Sequence, residues 1–330
     1  MDDPGSPIAN CSIIERACAS RDNDCMRRAR RVAAIGVLTT VGTLVAGCSG
    51  GSSARSQPSS ATTSTPTPTS PTTTVASATP GAGGAYTPGR HEATFDVGGS
   101  ARTAVVVVPR DVSRPAPLVF VFHGHGGTGA GMERRSDIEG LWPDAIVVYP
   151  DGLVGHKGKT DPEGVRPGWQ TQLGEDADRD LAFYDPMLAT LRSELPVDAD
   201  RVYLMGLSNG SAFASLLLNQ RGDGIAATAH LSSQPSARLL ESDPARSMFM
   251  AMGTRDPVVP YENQKRSIPL AEQKLGADPN RATVDGYLRT EPGRGALELA
   301  TYVYPGGHAP PPEAPRLVVD FFRRHSLSGG

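Results

Sequence analysis

The sequence predicts an α/β domain over residues 87 to 330, built around a mostly parallel β-sheet with helices on both faces. Short apolar runs alternate with helix-like segments along this region, which is the order of βαβ units. Several of the runs, among them "PLVFVF", are continuous and apolar, as expected for strands buried on both faces. The region contains no cysteine, so the domain must fold without a disulfide.

The individual elements follow from these runs. The candidate strands are "HEATFDV", "RTAVVVVP", "PLVFVFHG", "DAIVVYP", "RVYLMGL", "AATAHLS", "RSMFMAMG" and "LELATYVYPG", of which the first two predict an antiparallel start. The candidate helices are "AGMERRSDIEGLW", "DRDLAFYDPMLATLRSEL", "NGSAFASLLLNQR", a weaker segment over 262–275, and "APRLVVDFFRRH". Loop signals over 150–177 and 276–296 indicate insertions over one edge of the sheet rather than a second domain.

Composition and charge exclude several classes of function. The 330 residues carry a net charge of -3, and no Lys/Arg cluster beyond the N-terminus could neutralise a phosphate backbone, so we expect no nucleic-acid partner. All four cysteines lie in the first 48 residues. Cys11, Cys18 and Cys25 are spaced by seven, but no nearby histidine completes a metal site. We therefore expect neither a metal nor a cofactor.

Residues 26–47 have the pattern of an export signal. Four arginines precede an apolar run of about 15 residues, which is shorter than the ~20 residues of a membrane span. The ending "LVAGC" resembles a bacterial lipobox, in which the new N-terminal cysteine is lipidated, so Cys48 is a candidate membrane anchor. An ordinary cleaved signal with an incidental Cys48 is the other interpretation. Residues 1–25 fit no part of a signal and are interpreted as an unstructured extension, or as sequence upstream of a true start at Met26.

Residues 48–86 consist almost entirely of Ser, Thr, Pro, Gly and Ala. So little apolar surface cannot offset the entropy lost on ordering a chain. We expect a disordered tether that holds the domain at the extracellular side of the membrane, or a secreted domain if no lipid is attached.

A serine between two glycines ends one of the predicted strands, in "RVYLMGLSNGSAFA". In a G-x-S-x-G elbow the strand-to-helix turn is so tight that the flanking positions must lack side chains, and the serine is exposed above the sheet. Here Gly206 and Gly210 flank Ser208, and a helix candidate follows. Ser208 is therefore a candidate nucleophile, although a Gly-Ser turn without chemistry has the same pattern.

A base and an acid follow in the chain order that such folds require. Asp256 comes after the strand "RSMFMAMG", and His308 after "LELATYVYPG". Each residue alone has an ordinary structural interpretation. The carboxyl ends of three parallel strands, however, would bring Ser208, Asp256 and His308 to one edge of one sheet, as a catalytic triad.

Other parts of a site are also recognisable. The glycine-rich loop "HGHGGTG" follows the strand "PLVFVF", and we expect the N–H of His125 or Gly126 to form an oxyanion hole with that of Asn209. Trp169 either lines the substrate pocket or anchors a packed loop. His123 is expected to brace the loop.

Structural roles are expected for the remaining acidic and histidine residues near these motifs. Asp178 and Asp180 would cap the helix that follows them. His230 lies in a predicted strand. Exposed positions are expected for His91, His156 and His325.

Together, "HGHGG", "YPDG", "GW", "DRDLAF", "RVYLMGLSNGSAFA", "GTRDPVVPY" and "GGH" resemble the polyhydroxybutyrate depolymerase and feruloyl esterase group of α/β-hydrolases, which includes actinobacterial esterase lipoproteins. The resemblance covers about residues 100 to 310. It implies the α/β-hydrolase fold and hydrolysis of carboxylic esters by Ser208, Asp256 and His308. The domain lacks the cysteines of many secreted relatives, and "GGHAPPP" lacks the tryptophan common after the histidine.

These observations predict a membrane-anchored serine esterase that needs no cofactor. Its partners would be an ester substrate, which is a small molecule, a polyester or a polysaccharide-linked ester, and the membrane through Cys48. An acyltransferase would use the same triad. A cell-surface binding lipoprotein on a hydrolase scaffold would usually have lost a triad residue, and none is missing here.

Overall fold

A computed structural model of the chain describes residues 86–158, 160–234 and 244–329. Four sequence predictions lie outside these ranges: the N-terminal extension, the export signal, the lipidation site at Cys48 and all but the last residue of the tether. No helix in the described ranges is long and apolar enough to cross a membrane.

The described residues form one mixed β-sheet of ten strands. In chain order the strands are β1 (Gly89–Val97), β2 (Ser100–Val108), β3 (Ala116–Phe122), β4 (Ile146–Pro150), β5 (Val197–Leu207), β6 (Ala227–Leu231), β7 (Ser247–Gly253), β8 (Thr283–Asp285), β9 (Leu288–Pro292) and β10 (Glu298–Tyr304). Across the sheet their order is β1-β2-β4-β3-β5-β6-β7-β10-β9-β8.

The helices cover the sheet between these strands. They are α1 (Gly129–Ser136), α2 (Ile138–Leu141), α3 (Leu181–Glu194), α4 (Asn209–Arg221), α5 (Tyr261–Gln264), α6 (Ser267–Leu275) and α7 (Ala314–Phe322).

The pairing directions determine where a site can form. Strands β4, β3, β5, β6, β7 and β10 run parallel, and antiparallel strands flank them at both edges. The loops after β3, β5, β7 and β10 therefore leave the sheet at the same end. In open parallel sheets this carboxyl end is where ligands bind.

The core consists of two apolar layers, one on each face of the sheet. Successive side chains of a strand point to opposite faces, and β3 shows the consequence. Leu118, Phe120 and Phe122 join one layer, whereas Val119 and Val121 join the other. All five side chains are fully buried, which explains why this strand is continuously apolar in sequence.

The fold class and the eight predicted strands are confirmed, with two differences in detail. The segment over 276–296 was predicted as a loop insertion, but it contains the hairpin of β8 and β9, which extends the sheet beyond β10. All three residues of β8 are exposed, so the strand has no apolar pattern to reveal it. The first predicted helix is divided into α1 and α2 at Asp137, which has a positive φ of 44°.

His230, in the middle of β6, is fully buried beside helix α4. One ring nitrogen lies 3.0 Å from Ser211 Oγ and the other 3.0 Å from Thr228 Oγ1. Burial disfavours the charged imidazolium and lowers the pKa of His230 to about 4. The ring is therefore neutral in the folded protein.

We expect His230 to make stability fall as the pH drops from about 6.5 to about 4. In this window the unfolded state protonates the histidine and the folded state does not, so acid favours unfolding, by up to about 3 kcal/mol at 1.4 kcal/mol per pK unit. In His230→Gln the melting temperature should fall less steeply with acid than in the wild type. His91→Gln, on the edge strand β1, is the control and should keep the wild-type slope. Equal slopes for all three proteins would contradict this prediction.

Candidate active site

Ser208 occupies the turn between β5 and α4, with φ 54° and ψ -115°. A non-glycine residue at such angles is strained, and surrounding contacts must hold it there. The Ser208 N–H donates a hydrogen bond of 2.8 Å to the Leu231 carbonyl at the end of the neighbouring strand. This is the backbone form of a nucleophile elbow.

The two glycines around Ser208 are required by close packing. A Cβ at Gly206 would overlap the carbonyl group of Gly210. A Cβ at Gly210 would lie 2.5 Å from the carbonyl oxygens of both Phe122 and His123. The start of α4 thus lies directly against the carboxyl end of β3, and no side chain fits between them.

Asp256 and His308 form a hydrogen-bonded pair after β7 and β10. His308 Nδ1 lies 2.8 Å from Asp256 Oδ2. Asp256 is completely buried, and it also accepts hydrogen bonds from the N–H groups of Val258 and Val259 and from Gln264 Nε2. The carboxylate is held by these donors, and it leaves His308 Nε2 as the nitrogen that can exchange a proton with a reactant.

Ser208 and His308 line the same cleft, which has a volume of about 460 Å³. No hydrogen bond joins Ser208 Oγ to His308 among the described residues. Catalytic hydrogen bonds are often long without substrate and tighten in the complex. The structure therefore places Ser208 and His308 at one cleft, and the buried Asp256 is hydrogen-bonded to His308.

Fewer backbone N–H groups are available for an oxyanion hole than the sequence suggested. The Gly126 N–H donates to the Pro167 carbonyl at 2.7 Å, so it is not available to a substrate oxygen. The N–H groups of His125 and Asn209 have no partner among the described residues, and both residues belong to the segments that meet at the elbow. Of the three predicted residues, His125 and Asn209 have backbone N–H groups without a partner among the described residues, and Gly126 does not.

Trp169 does not line the cleft, so its assignment to substrate binding is wrong. The side chain is fully buried, stacks on Phe213 at a ring-centroid distance of 5.3 Å, and donates from Nε1 to the His123 carbonyl at 2.9 Å. The sequence left a packed loop anchor as the other interpretation, and that is the role observed. The apolar ring is buried because the loop carrying it crosses the edge of the core.

Asn209 holds the loop that carries Trp169. Its Oδ1 accepts from the Trp169 N–H at 2.8 Å, and its Nδ2 donates to the Trp169 carbonyl at 2.9 Å. This pairing was not predicted, since only the backbone N–H of Asn209 entered the sequence argument. It fixes the loop directly to the first residue of α4.

Asp180 and Asp178 have structural roles, and Asp180 occupies the N-cap position of α3, but its side chain makes no capping hydrogen bond. Asp180 is fully buried and accepts from Arg102 Nη2 at 2.9 Å and from the Gln170 N–H at 2.8 Å. Asp178 accepts from Gln170 Nε2 and from the Gly174 N–H. Both carboxylates serve the loop between β4 and α3 because its buried N–H groups have no strand to pair with.

Two histidines of the glycine-rich loop after β3, His123 and His125, bond this loop to the segment that follows β4. His123 Nδ1 contacts the Gly124 carbonyl at 2.8 Å and His123 Nε2 accepts from the Gly152 N–H at 2.9 Å. Burial lowers the pKa of His123, so the ring stays neutral and can accept this bond. His125 Nε2 lies 2.9 Å from Asp161 Oδ2.

The carboxylate of Asp161 contacts the glycine-rich loop after β3 through His125. Burial acts to raise its pKa, but hydrogen bonds from the N–H groups of Arg166 and Val165 and from His125 outweigh this effect and lower the pKa to about 2. The group is therefore ionised at any physiological pH. The sequence analysis singled out His125 but not Asp161, so the contact between them was not predicted.

The exposed positions expected for three other histidines need correction. His156 is buried and lies 3.0 Å from Asp176 Oδ2. His325 is only partly exposed, and its ring packs on Phe321. His91 is likewise partly exposed and contacts the Thr87 carbonyl. Each ring is partly or wholly covered by a contact with a residue that the sequence pattern does not reveal.

Gln264, in α5, is a site residue that the sequence did not reveal. Its amide donates to Asp256 Oδ2 at 2.9 Å and to the Val259 carbonyl at 2.6 Å. A glutamine in a short helix has no distinguishing pattern. Across the described ranges no group of three His, Cys, Asp or Glu could hold a metal ion.

Comparisons with known proteins were made for sequence and for structure. No family model matches the chain. The chain is 30% identical over 176 residues to the esterase candidate NocK of Nocardia uniformis subsp. tsuyamanensis, covering 51% of this chain. It spans only 48% of the length of that relative. It is 25% identical over 287 residues to feruloyl esterase D of Neurospora crassa, covering 76% of this chain and 92% of that one.

Solved structures decide the fold. The acetyl xylan esterase from Aspergillus awamori superposes with a TM-score of 0.57 at 15% identity, covering 71% of this chain and 99% of that one. A thermostable esterase superposes with a TM-score of 0.51 at 17% identity, covering 72% and 63%. The chain has the α/β-hydrolase fold. The resemblance to feruloyl esterases that the motifs predicted is confirmed by these sequence relatives.

We expect Gly210→Ala to destabilise the protein strongly, because the new methyl group would overlap two backbone carbonyls that cannot move without separating α4 from β3. The loss should be about 2 kcal/mol or more in the free energy of unfolding, measured by urea denaturation. Gly158→Ala is the control, since its Cβ would meet nothing within 4 Å. An unchanged stability of Gly210→Ala would show that the turn does not need this close approach.

Proposed function

We propose that the protein is a carboxylic ester hydrolase with Ser208 as nucleophile, His308 as general base and acid, and Asp256 as the group that orients the imidazole. The observation that carries this proposal is the strained Ser208 backbone at the cleft that His308 also lines, with His308 hydrogen-bonded to a buried Asp256. Esterase relatives and the α/β-hydrolase fold support the same reaction class.

The mechanism begins with attack of Ser208 Oγ on the ester carbonyl carbon. His308 Nε2 takes the hydroxyl proton, and Asp256 stabilises the resulting imidazolium through Nδ1. The negative oxygen of the tetrahedral intermediate would accept from the N–H groups of His125 and Asn209. Strain at Ser208 is held by the packing of Gly206 and Gly210, so it exists before substrate arrives.

Collapse of the intermediate breaks the bond to the alcohol oxygen, which receives the proton from His308. The product alcohol leaves and the acyl group stays on Ser208. Water then attacks the acyl-enzyme, with His308 taking its proton, and the second collapse releases the carboxylic acid and returns the proton to Ser208. An alcohol in place of water would give acyl transfer by the same steps.

Relatives guide the choice among ester substrates. Those compared are named as a feruloyl esterase of Neurospora crassa, a feruloyl esterase of Aspergillus niger and an acetylxylan esterase/xylanase of Neocallimastix patriciarum. We therefore favour aryl-acid or acetyl esters attached to polysaccharides over polyhydroxybutyrate.

The decisive test is hydrolysis of p-nitrophenyl acetate, methyl ferulate and polyhydroxybutyrate film by the wild type and by Ser208→Ala. We expect the substitution to lower kcat/KM by several orders of magnitude, because it removes the group that forms the acyl-enzyme. Ser100→Ala, at the exposed start of β2, is the matched control and should retain activity. A fluorophosphonate should label the wild type and not Ser208→Ala. If the wild type is inert and unlabelled, the hydrolase proposal fails and a binding role is favoured.

We also propose that the protein acts outside the cytoplasm, attached to the membrane by a lipid at Cys48. The arginine-rich start, the apolar run and the "LVAGC" ending over residues 26–48 support this location.

In a bacterial host that processes lipoproteins, the wild type should incorporate radiolabelled palmitate and Cys48→Ala should not, because the Cys48 thiol is the acceptor of the lipid. Autoradiography of the immunoprecipitated protein measures the label. Cys25→Ala is the control and should keep the label. Label on Cys48→Ala, or none on the wild type, would contradict lipid anchoring at Cys48.

A further inference from the structure

The cleft beside Ser208 has an unbalanced charge. Two arginines, Arg135 and Arg166, are among its lining residues, and none of the lining residues in the described part of the chain is an aspartate or glutamate. The whole protein carries a net charge of -3. Because the protein as a whole is negative, the positive charge of the cleft comes from the local placement of these two arginines. A positive cleft favours a negatively charged ligand.

Arg166 is held in place by its own segment. Its guanidinium donates to the Thr160 carbonyl, and Nε lies 3.8 Å from Asp161 Oδ2. Part of its charge is therefore already compensated within the protein.

Arg135, in the last turn of α1, differs from Arg166. Its guanidinium makes no hydrogen bond or ion pair with any residue that the structure describes, and its side chain is exposed. It lines the same cleft as His308 and Ser208. Arg135 thus offers its full set of donors at the cleft.

A smaller apolar cavity adjoins the cleft at the same position. Its volume is about 220 Å³, and it shares Met132, Arg135 and Leu207 with the cleft. Prolines of the "APPP" segment after His308 form its other wall, together with Pro315. Leu207 immediately precedes Ser208, so a group of the ester bound at the serine can extend past Leu207 toward Arg135.

We propose that Arg135 binds a carboxylate carried by the ester substrate, so that the cleft selects anionic over neutral esters. This inference rests on the proposed ester hydrolysis at Ser208. A planar guanidinium pairs with a carboxylate through two parallel hydrogen bonds, which a neutral amide of the same shape cannot match. The carboxylate is at the far end of the acyl group or on the alcohol, and the two sources are separable by experiment.

The experiment compares isosteric pairs of esters. Monomethyl glutarate against methyl 4-carbamoylbutanoate places the carboxylate or its amide on the acyl side. The pair 4-carboxyphenyl acetate and 4-carbamoylphenyl acetate places it on the alcohol side. We measure kcat/KM of each ester for the wild type, Arg135→Gln, Arg135→Lys and Arg134→Gln. Arg134 is the matched control, since it lies in the same helical turn but does not line the cleft.

In at least one pair, the wild type should prefer the carboxylate, and Arg135→Gln should lower that preference by about 10-fold or more, as expected for loss of a charge-assisted pair. Activity on the neutral amides should change little. Arg135→Lys should restore part of the preference, and Arg134→Gln should retain all of it. The pair that responds identifies the side of the substrate that carries the charge.

Two results overturn the inference while leaving ester hydrolysis intact: hydrolysis of all esters without a carboxylate preference, or a preference that Arg135→Gln retains. If the wild type hydrolyses no ester, the proposed function itself fails. The carboxylate site is then judged by calorimetric titration of monomethyl glutarate. Weaker binding to Arg135→Gln than to the wild type and to Arg134→Gln supports the site, and equal or undetectable binding to all three proteins refutes it.

Discussion

The arrangement of the site depends on one close approach, that of the first turn of α4 to the carboxyl end of β3. Gly210 makes this approach possible because its Cα lies against the carbonyl oxygens of Phe122 and His123. Ser208 is forced into its strained conformation between the two elements, and His125 follows β3 into the same space. The backbone of Ser208 and the free N–H groups of His125 and Asn209 are therefore positioned by backbone packing, as the proposed mechanism requires.

A second set of contacts makes the neighbouring loop part of this unit. Asn209 pairs with both backbone groups of Trp169, and the indole packs into the core against Phe213 in α4. Asp180 joins the same loop to Arg102 in β2 through a fully buried ion pair. Long loops over a sheet edge need such partners for their buried N–H groups. The contacts of the Trp169 loop thus hold the first turn of α4, which follows Ser208 directly.

Positive charge predominates in the cleft because the neighbouring carboxylates already accept hydrogen bonds from protein donors. Asp256 is saturated by His308, two backbone N–H groups and Gln264, and Asp161 by His125 and two backbone N–H groups. Their charges face these partners rather than a ligand. Arg135 has no such partner among the described residues, so its charge is the less compensated of the two arginines that line the cleft.

Much of the candidate site was predictable because it depends on local rules. The G-x-S-x-G spacing predicted the elbow, since only glycine tolerates the contacts around Ser208. The strand pattern predicted that Ser208, Asp256 and His308 would share one edge, since the ends of parallel strands meet there. The hairpin of β8 and β9 escaped prediction because neither strand has an apolar face that repeats with the period of a strand.

By itself, the sequence determined the α/β class, the buried strands and the glycine-flanked serine, because burial and backbone sterics act within a few residues. Only the tertiary structure decided which N–H groups remain available for a substrate, that Trp169 is a core anchor, and that Gln264 contacts Asp256. These features join residues distant in the chain. A polar or aromatic side chain gives no sign in sequence of which partner will reach it once the sheet has formed.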